Sequence, residues 1–218
     1  MTHSSPFVRA RVLSLFANGI PVLVTGGREG DLLPLVNTAW PYVLNRLRDS
    51  EPYVVTEAAI LVEALAKWVG DFMSRRILEN AWPILKDLLA TQKRLDERSA
   101  LARRNVGGVA SSFTVSHRLH LAIINMLAYV VQEVPVADSV IWEVIMLFRP
   151  FLDASVHQDQ QNATVQLYQK IAKRDEDAVW LALRGTTGEI RDTSGRLDYL
   201  RQPGLDIYDN VQRILPTI

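Results

Sequence analysis

The chain has 218 residues, 48% of them hydrophobic, and its 24 basic side chains balance 24 acidic ones. Zero net charge argues against a dedicated nucleic-acid binder, and the apolar fraction argues against wholesale disorder. With no cysteine, disulfides, thiolate metal sites and a cysteine nucleophile are excluded.

The start, Met1-Thr2-His3-Ser4-Ser5-Pro6, lacks a charged segment followed by an apolar one, so no signal peptide is expected. No uninterrupted apolar run approaches the ~18 residues of a membrane span. The expectation is a soluble, intracellular protein. Helical periodicity predicts helices over about 7–19 and 32–48. Between them, Ile20-Pro21-Val22-Leu23-Val24 is the one strand-like stretch, which Pro21 weakens. It leads into Thr25-Gly26-Gly27-Arg28-Glu29-Gly30, superficially a phosphate loop. The Gly-Gly-x-x-Gly spacing and the lack of a following parallel strand point instead to an inter-helix loop, with Asp31 capping the helix that contains Pro34.

A helix from Pro52 to Val69 turns Val55, Ala58, Ala59, Val62, Leu65, Ala66 and Val69 inward. Pro52 suits its first turn and Gly70 its end. Another helix is expected over 72–90. Two segments here are alike: Asn37-Thr38-Ala39-Trp40-Pro41-Tyr42-Val43 and Glu79-Asn80-Ala81-Trp82-Pro83-Ile84-Leu85. Their Trp-Pro pairs stand 42 residues apart, within the ~40–47 residue period of HEAT and armadillo arrays. A proline inside the first helix of a pair would kink it around the layer below, and the tryptophan would fill the space between repeats. A third copy is placed at Arg149-Pro150-Phe151, displaced by an insertion.

That insertion, about 91–112, sets Lys93, Arg94, Arg98, Arg103 and Arg104 against Asp96 and Glu97 and ends in Gly107-Gly108. It reads as a solvated loop or as a loop that captures a partner or an acidic peptide. Arg98, Arg103 and Arg104, with Tyr199 and Tyr208 near the C-terminus, are the candidate partner-binding residues. Trp40, Pro41, Trp82 and Pro83 are the structural repeat positions.

Further on, Leu119, Ala122, Ile123, Met126, Leu127, Val130, Val131 and Val134 form one helical stripe that Pro135 stops. Helices follow over about 138–152, 160–174 and 176–184. His117 and His120 lie one helical turn apart, but a closed metal site needs more ligands than the neighbourhood offers. The acidic run Asp175-Glu176-Asp177 fits a helix start. The sequon Asn162-Ala163-Thr164 falls inside a helix of a chain expected to be intracellular. Glycines and prolines break up the chain after Gly185. Residues 186–196 are expected to link to a short helix at about 205–215, which docks on the preceding repeats and caps them.

The fold expected is therefore all-α: a HEAT-type α-solenoid, a right-handed superhelix of antiparallel helix pairs. Residues 1–184 would form the repeat segment, carrying the inserted loop, and 185–218 the link and capping helix. No catalytic, cofactor or metal site emerges. A protein–protein scaffold is the leading reading. The alternative is another HEAT adaptor that binds peptides or nucleic acid through its concave face, and a cofactor-binding enzyme using Gly26–Gly30 stands third.

The order of several motifs resembles one family. They include Leu32-Leu33-Pro34-Leu35-Val36, Ala39-Trp40-Pro41, Arg46-Leu47, Gly70-Asp71-Phe72-Met73 and Arg75-Arg76. Ser116-His117-Arg118-Leu119-His120-Leu121-Ala122, Asp175 through Leu183 and Tyr208 through Leu215 continue the likeness. Together they are similar to the C-terminal repeat region of the Tel-Two-interacting-protein-one family, scaffold of the TTT co-chaperone complex. The resemblance covers about residues 30–215, matches poorly at 91–112, and makes this chain a fragment of a longer protein. It implies a cytoplasmic and nuclear protein with no catalytic residues. The implied partners are the other two TTT subunits, Tel-Two and the second interacting protein. Indirectly they include the phosphatidylinositol-kinase-related kinases and the ninety-kilodalton heat-shock chaperone.

Overall fold

The computed structural model describes residues 3–91, 115–184 and 206–215, which are helical or in turns, with no strand among them. The chain folds as two compact units, Met1–Glu133 and Val134–Ile218. The insertion at 91–112, apart from Thr91, and the link at 186–196 lie outside the described residues.

In the first unit, α1 (Pro6–Thr25) and α2 (Glu29–Arg46) are joined by a tight turn. Gly27 sits there at φ +69°, a conformation that side chains rarely adopt. The helix α3 (Pro52–Trp68) runs directly into α4 (Gly70–Arg76). A π-helical turn, Ile77–Ala81, follows, and the α-helix resumes as α5 over 82–91. Gly70 lets α4 start close to α6 (Val115–Glu133), since a Cβ there would lie 2.8 Å from Glu133 Cγ. α3 packs against α1 on one side and α6 on the other.

The burial pattern explains this sandwich. α3 buries Val54, Val55, Thr56, Ala58, Ala59, Leu61, Val62, Leu65 and Ala66, so it is apolar nearly all round. Such a helix needs neighbours on more than one side. α1 supplies Leu13, Ala17 and Ile20, and α6 supplies the stripe from Leu119 to Val131. Asp49, only 2% exposed at its side chain, clips the start of this layer. Its carboxylate accepts from Arg9 at 2.8 and 2.9 Å and from Arg46 at 2.6 Å. The hydrogen bonds from Arg9 hold its pKa below the usual carboxylate value.

The Trp-Pro pairs belong to the second helices, α2 and α5, and not to the first helix of each pair as the sequence suggested. Trp40 is 6% and Trp82 4% exposed, while both prolines face outward. The two second helices are stitched at an offset close to the repeat. Trp40 Nε1 donates to Asn80 Oδ1 at 3.3 Å, and Arg76 Nη1 donates to Asn37 Oδ1 at 2.9 Å.

Two other local expectations need correcting. Ile20–Val24 is the end of α1 and not a strand. Pro21 costs only the hydrogen bond that Ala17 would accept, and burial of Ile20 against the layer carries the helix through. Asp31 does not cap α2; the cap position is Arg28, and Asp31, in the first turn, pairs with it at 2.8 Å.

The second unit contains α7 (Asp138–Phe148), a 3₁₀ turn Arg149–Leu152, α8 (Gln158–Ala172), α9 (Glu176–Arg184) and α10 (Tyr208–Ile214). Its core includes Ile145, Phe148, Leu152, Leu167, Tyr168, Val179 and Leu183. Glu176 and Asp177 lie in the first turn of α9, and Asp175 Oδ1 accepts from Ala178 N at 2.9 Å, so the acidic run starts a helix.

Replacing Trp40 or Trp82 by alanine should each cost about 3–5 kcal/mol in chemical denaturation, the usual range for a buried aromatic. A loss below 1 kcal/mol for both would show that these rings do not hold the repeats together. A second expectation concerns Glu63 of α3, which faces α6 and accepts from Asn125 Nδ2 at 3.1 Å. Burial pushes its pKa from the ordinary 4.5 to about 7, against the hydrogen bond from Asn125. The folded state thus binds this proton more tightly than the unfolded chain. Its stabilising effect is full below pH 4.5 and is lost as pH rises through about 7. Glu63→Gln should flatten the decline in melting temperature between pH 5 and 8 and melt higher than wild type at pH 8. Parallel wild-type and variant curves would contradict this.

Candidate interaction surfaces

The sequence-derived partner-binding candidates divide sharply. Arg98, Arg103, Arg104 and Tyr199 lie outside the described residues. Tyr208 opens α10 and is 47% exposed. Trp40 and Trp82 are core residues whose rings are not available to a partner. His117 is buried and His120 half-buried, both on α6.

Arg149, the residue before the proline in the expected third copy, opens a 3₁₀ turn and not a helix like those that hold Trp40 and Trp82. It is 1% exposed, and its Nε and Nη1 have no hydrogen-bond partner among the described residues. Burial lowers its pKa. The stem is used as core filler beside Tyr168, whose hydroxyl donates to the Ile145 carbonyl. Sequence reading could find this position only through the following Pro150.

Around α10 the second unit builds a dense polar network. Asn210 Nδ2 donates to Leu152 O and Gln161 Oε1, both at 2.7 Å. Arg213 donates to Asn210 Oδ1 at 2.8 Å and Asn162 Oδ1 at 2.9 Å. Asp206 N reaches Asp153 Oδ2 at 2.7 Å, and Ala154 N reaches Asp206 O at 2.8 Å. Burial works to raise the Asp153 pKa, but hydrogen bonds from Ser155 and Asp206 outweigh it and hold the group below the usual value. Ile207, Val211, Ile214 and Leu215 are buried beneath this network. α10 is therefore docked on α8 as an integral helix. A groove of about 530 Å³ lies beside it, between Gln166, Gln169, Lys170 and Lys173 of the α8 end and Ile214 and Leu215.

Exposed large apolar groups concentrate elsewhere. Six of the nine among the described residues are on α1 and α2: Phe7 (75%), Val8, Leu15 (56%), Val22 (69%), Leu35 and Tyr42. α1 is also the one helix among the described residues long and apolar enough to cross a membrane. It reaches that length because it continues through Pro21, where the sequence reading ended it near residue 19. Only 22% of that apolar window is buried, with Leu13, Ala17 and Ile20 among its fully or nearly buried side chains.

Stacked helical hairpins, buried repeat tryptophans and no strand among the described residues define an all-α helical-repeat protein of the α-solenoid class. Residues 1–180 match the family described as "TTI1 C-terminal TPR domain", and the chain belongs to that family. It is similar to the "TELO2-interacting protein 1 homolog" of Mus musculus, at 26% identity over 176 residues. The Homo sapiens protein of the same description is 25% identical over 176 residues. Each match covers 81% of this chain and 15% of the relative, so the chain spans a small part of those proteins. No solved structure matches. The family's description names TPR repeats, whose period is ~34 residues, whereas the 42-residue Trp-Pro spacing here is in the HEAT range.

Removing the chain after residue 205 should lower the melting temperature clearly, because the α10 network and its buried side chains go with it. A segment that served only as a ligand for another protein would leave melting unchanged when deleted.

Proposed function

We propose that this chain is a non-catalytic protein–protein scaffold of the TTT type, which docks onto another helical-repeat protein. The family match over residues 1–180 carries this reading. The apolar groups left open on α1 and α2 support it, because patches of this kind mark interaction sites. The relatives' description names TELO2 as a partner of those proteins, and for this chain we take a TELO2-type subunit as the first candidate. The second interacting protein, named by the sequence resemblance, is the other. In this reading the assembly helps mature phosphatidylinositol-kinase-related kinases with the ninety-kilodalton heat-shock chaperone, in the cytoplasm and nucleus. Arg98, Arg103, Arg104, Tyr199 and Tyr208 are the proposed contacts besides the exposed apolar groups of α1 and α2.

Co-expression with each candidate subunit, followed by size-exclusion chromatography, tests this. Stable co-elution with at least one is expected. Reversing Arg98, Arg103 and Arg104 to glutamate, together with Tyr208→Ala, should weaken it at least tenfold. Failure to co-elute with either subunit would overturn the proposal.

A further inference from the structure

The second helices of the first unit meet along a polar seam. Asn37 Oδ1 of α2 accepts from Arg76 Nη1 at 2.9 Å, and Asn80 Oδ1 accepts from Trp40 Nε1 at 3.3 Å. The residue separations of these links, 39 and 40, show that α2 and the helix from Gly70 onward run parallel in nearly constant register. An arginine guanidinium and an indole N–H can only donate. Each link therefore uses the amide oxygen and fixes which way the carboxamide points, with its N–H2 group turned away from the bond. Both asparagines are exposed, and neither Nδ2 has a partner among the described residues.

Rigid apolar rings flank both amides. Pro34 and Pro41 stand three and four residues from Asn37, so the three share one stripe of α2, and Pro83 stands three residues after Asn80. All three prolines are exposed. Asn80 lies on the π-helical turn Ile77–Ala81, a rare local form that recurs at functional sites. The outward side of the seam thus offers two oriented donors, one on each of two neighbouring helices. Packed helices stand about 8–10 Å apart. One turn of a polyproline II strand, three residues, advances about 9 Å and returns a carbonyl to the same side. The offset of one helical turn between Asn37 and Asn80 makes such a strand cross the two helices obliquely.

We propose that this seam binds a proline-rich segment of a partner protein in the polyproline II form. Carbonyls three residues apart accept from Asn37 Nδ2 and Asn80 Nδ2, and the segment's rings pack on Pro34, Pro41 and Pro83. Hydrogen-bonding chemistry selects this occupant. A further helical repeat of the same array has its backbone carbonyls bonded within its own helices, so its main chain cannot satisfy the pair. A polyproline II strand has no internal hydrogen bonds and keeps every carbonyl open. It also brings few N–H groups, which suits a face whose two amide oxygens are already used. The 218 residues themselves contain no such segment, since their 10 prolines are scattered singly. The site goes beyond the scaffold reading and uses other residues than the exposed apolar groups of α1 and α2, so either can fail without the other.

The test uses the intact chain and fluorescein-labelled decaproline. Fluorescence anisotropy should show saturable binding. In a nitrogen–proton correlation spectrum the side-chain N–H2 signals of Asn37 and Asn80 should shift with the same saturation. Asn37→Asp and Asn80→Asp each keep an oxygen for Arg76 or Trp40 and lose the outward donor. Each should weaken binding about fivefold or more, the scale of one lost hydrogen bond, while circular dichroism and melting match wild type. The spectral shifts need no variant, so they give the answer even if a substitution unfolds the protein. No saturable binding, binding unchanged in both variants, or saturation without movement of the two amide signals would overturn the proposal. So would a glutamate–serine decapeptide that binds more tightly than decaproline and is lost in Arg75→Glu, since that marks an acidic-peptide site instead.

Discussion

α3 is buried on nearly all sides, and the first unit is organised by that constraint. A helix that buries Val, Ala and Leu side chains over most of its circumference gains stability only where other helices cover those faces. α1 and α6 do this for α3. Each of the two layers then needs its own fixed register, and short polar links provide it. Asp49 ties α1 to the start of α3, Glu57–Arg118 and Glu63–Asn125 tie α3 to α6, and Trp40–Asn80 and Asn37–Arg76 tie α2 to the helix that follows α3. The apolar area drives association without direction, while these links select one alignment among many.

The same logic explains how stacking generates function in such a fold. A layer of parallel helices has no natural end, because every face good enough to bind a neighbour is poor at meeting water. α1 meets α3 through Leu13, Ala17 and Ile20, with Phe7 stacked on Tyr53, and carries Leu15 and Val22 outward. At the other end of the chain the solution differs. α10 folds back on α8, and Asn210 and Arg213 satisfy groups that would otherwise be left open. α10 is thus held by contacts within its own unit, while α1 keeps large apolar side chains on its outer face.

Much of this was legible in the sequence, for reasons that differ by element. α3 and α6 carry long periodic stripes, so their existence and inward faces could be read directly. The repeat spacing was readable because Trp-Pro is a rare pair whose two copies share their surroundings. The α10 helix was readable from Val211, Ile214 and Leu215 on one face. Other features depend on tertiary packing. Pro21 should end a helix on local grounds, yet Ile20 is fully buried and the helix passes through it. The π-helical turn at Ile77–Ala81 leaves no compositional mark. The sequence already marks α1 as a helix with apolar surface to be covered, through Val8, Val12, Leu15 and Phe16; of these Val8 and Leu15 are exposed and Val12 and Phe16 half-buried. Only the position of α3 shows which of them face inward. Arg149 was hidden for the opposite reason: a basic residue is read as surface, whereas this one is buried at the start of the 3₁₀ turn Arg149–Leu152.

Native-state hydrogen exchange measured residue by residue tests the central claim, that α3 is the element on which the first unit depends. Amides of α3 should be the slowest in residues 3–91, exchanging only through global unfolding of the unit. Amides of α1 and α2 should exchange faster through opening of the α1–α2 hairpin, since fewer of their residues are buried than those of α3. Protection of α1 equal to or greater than that of α3 would contradict the account.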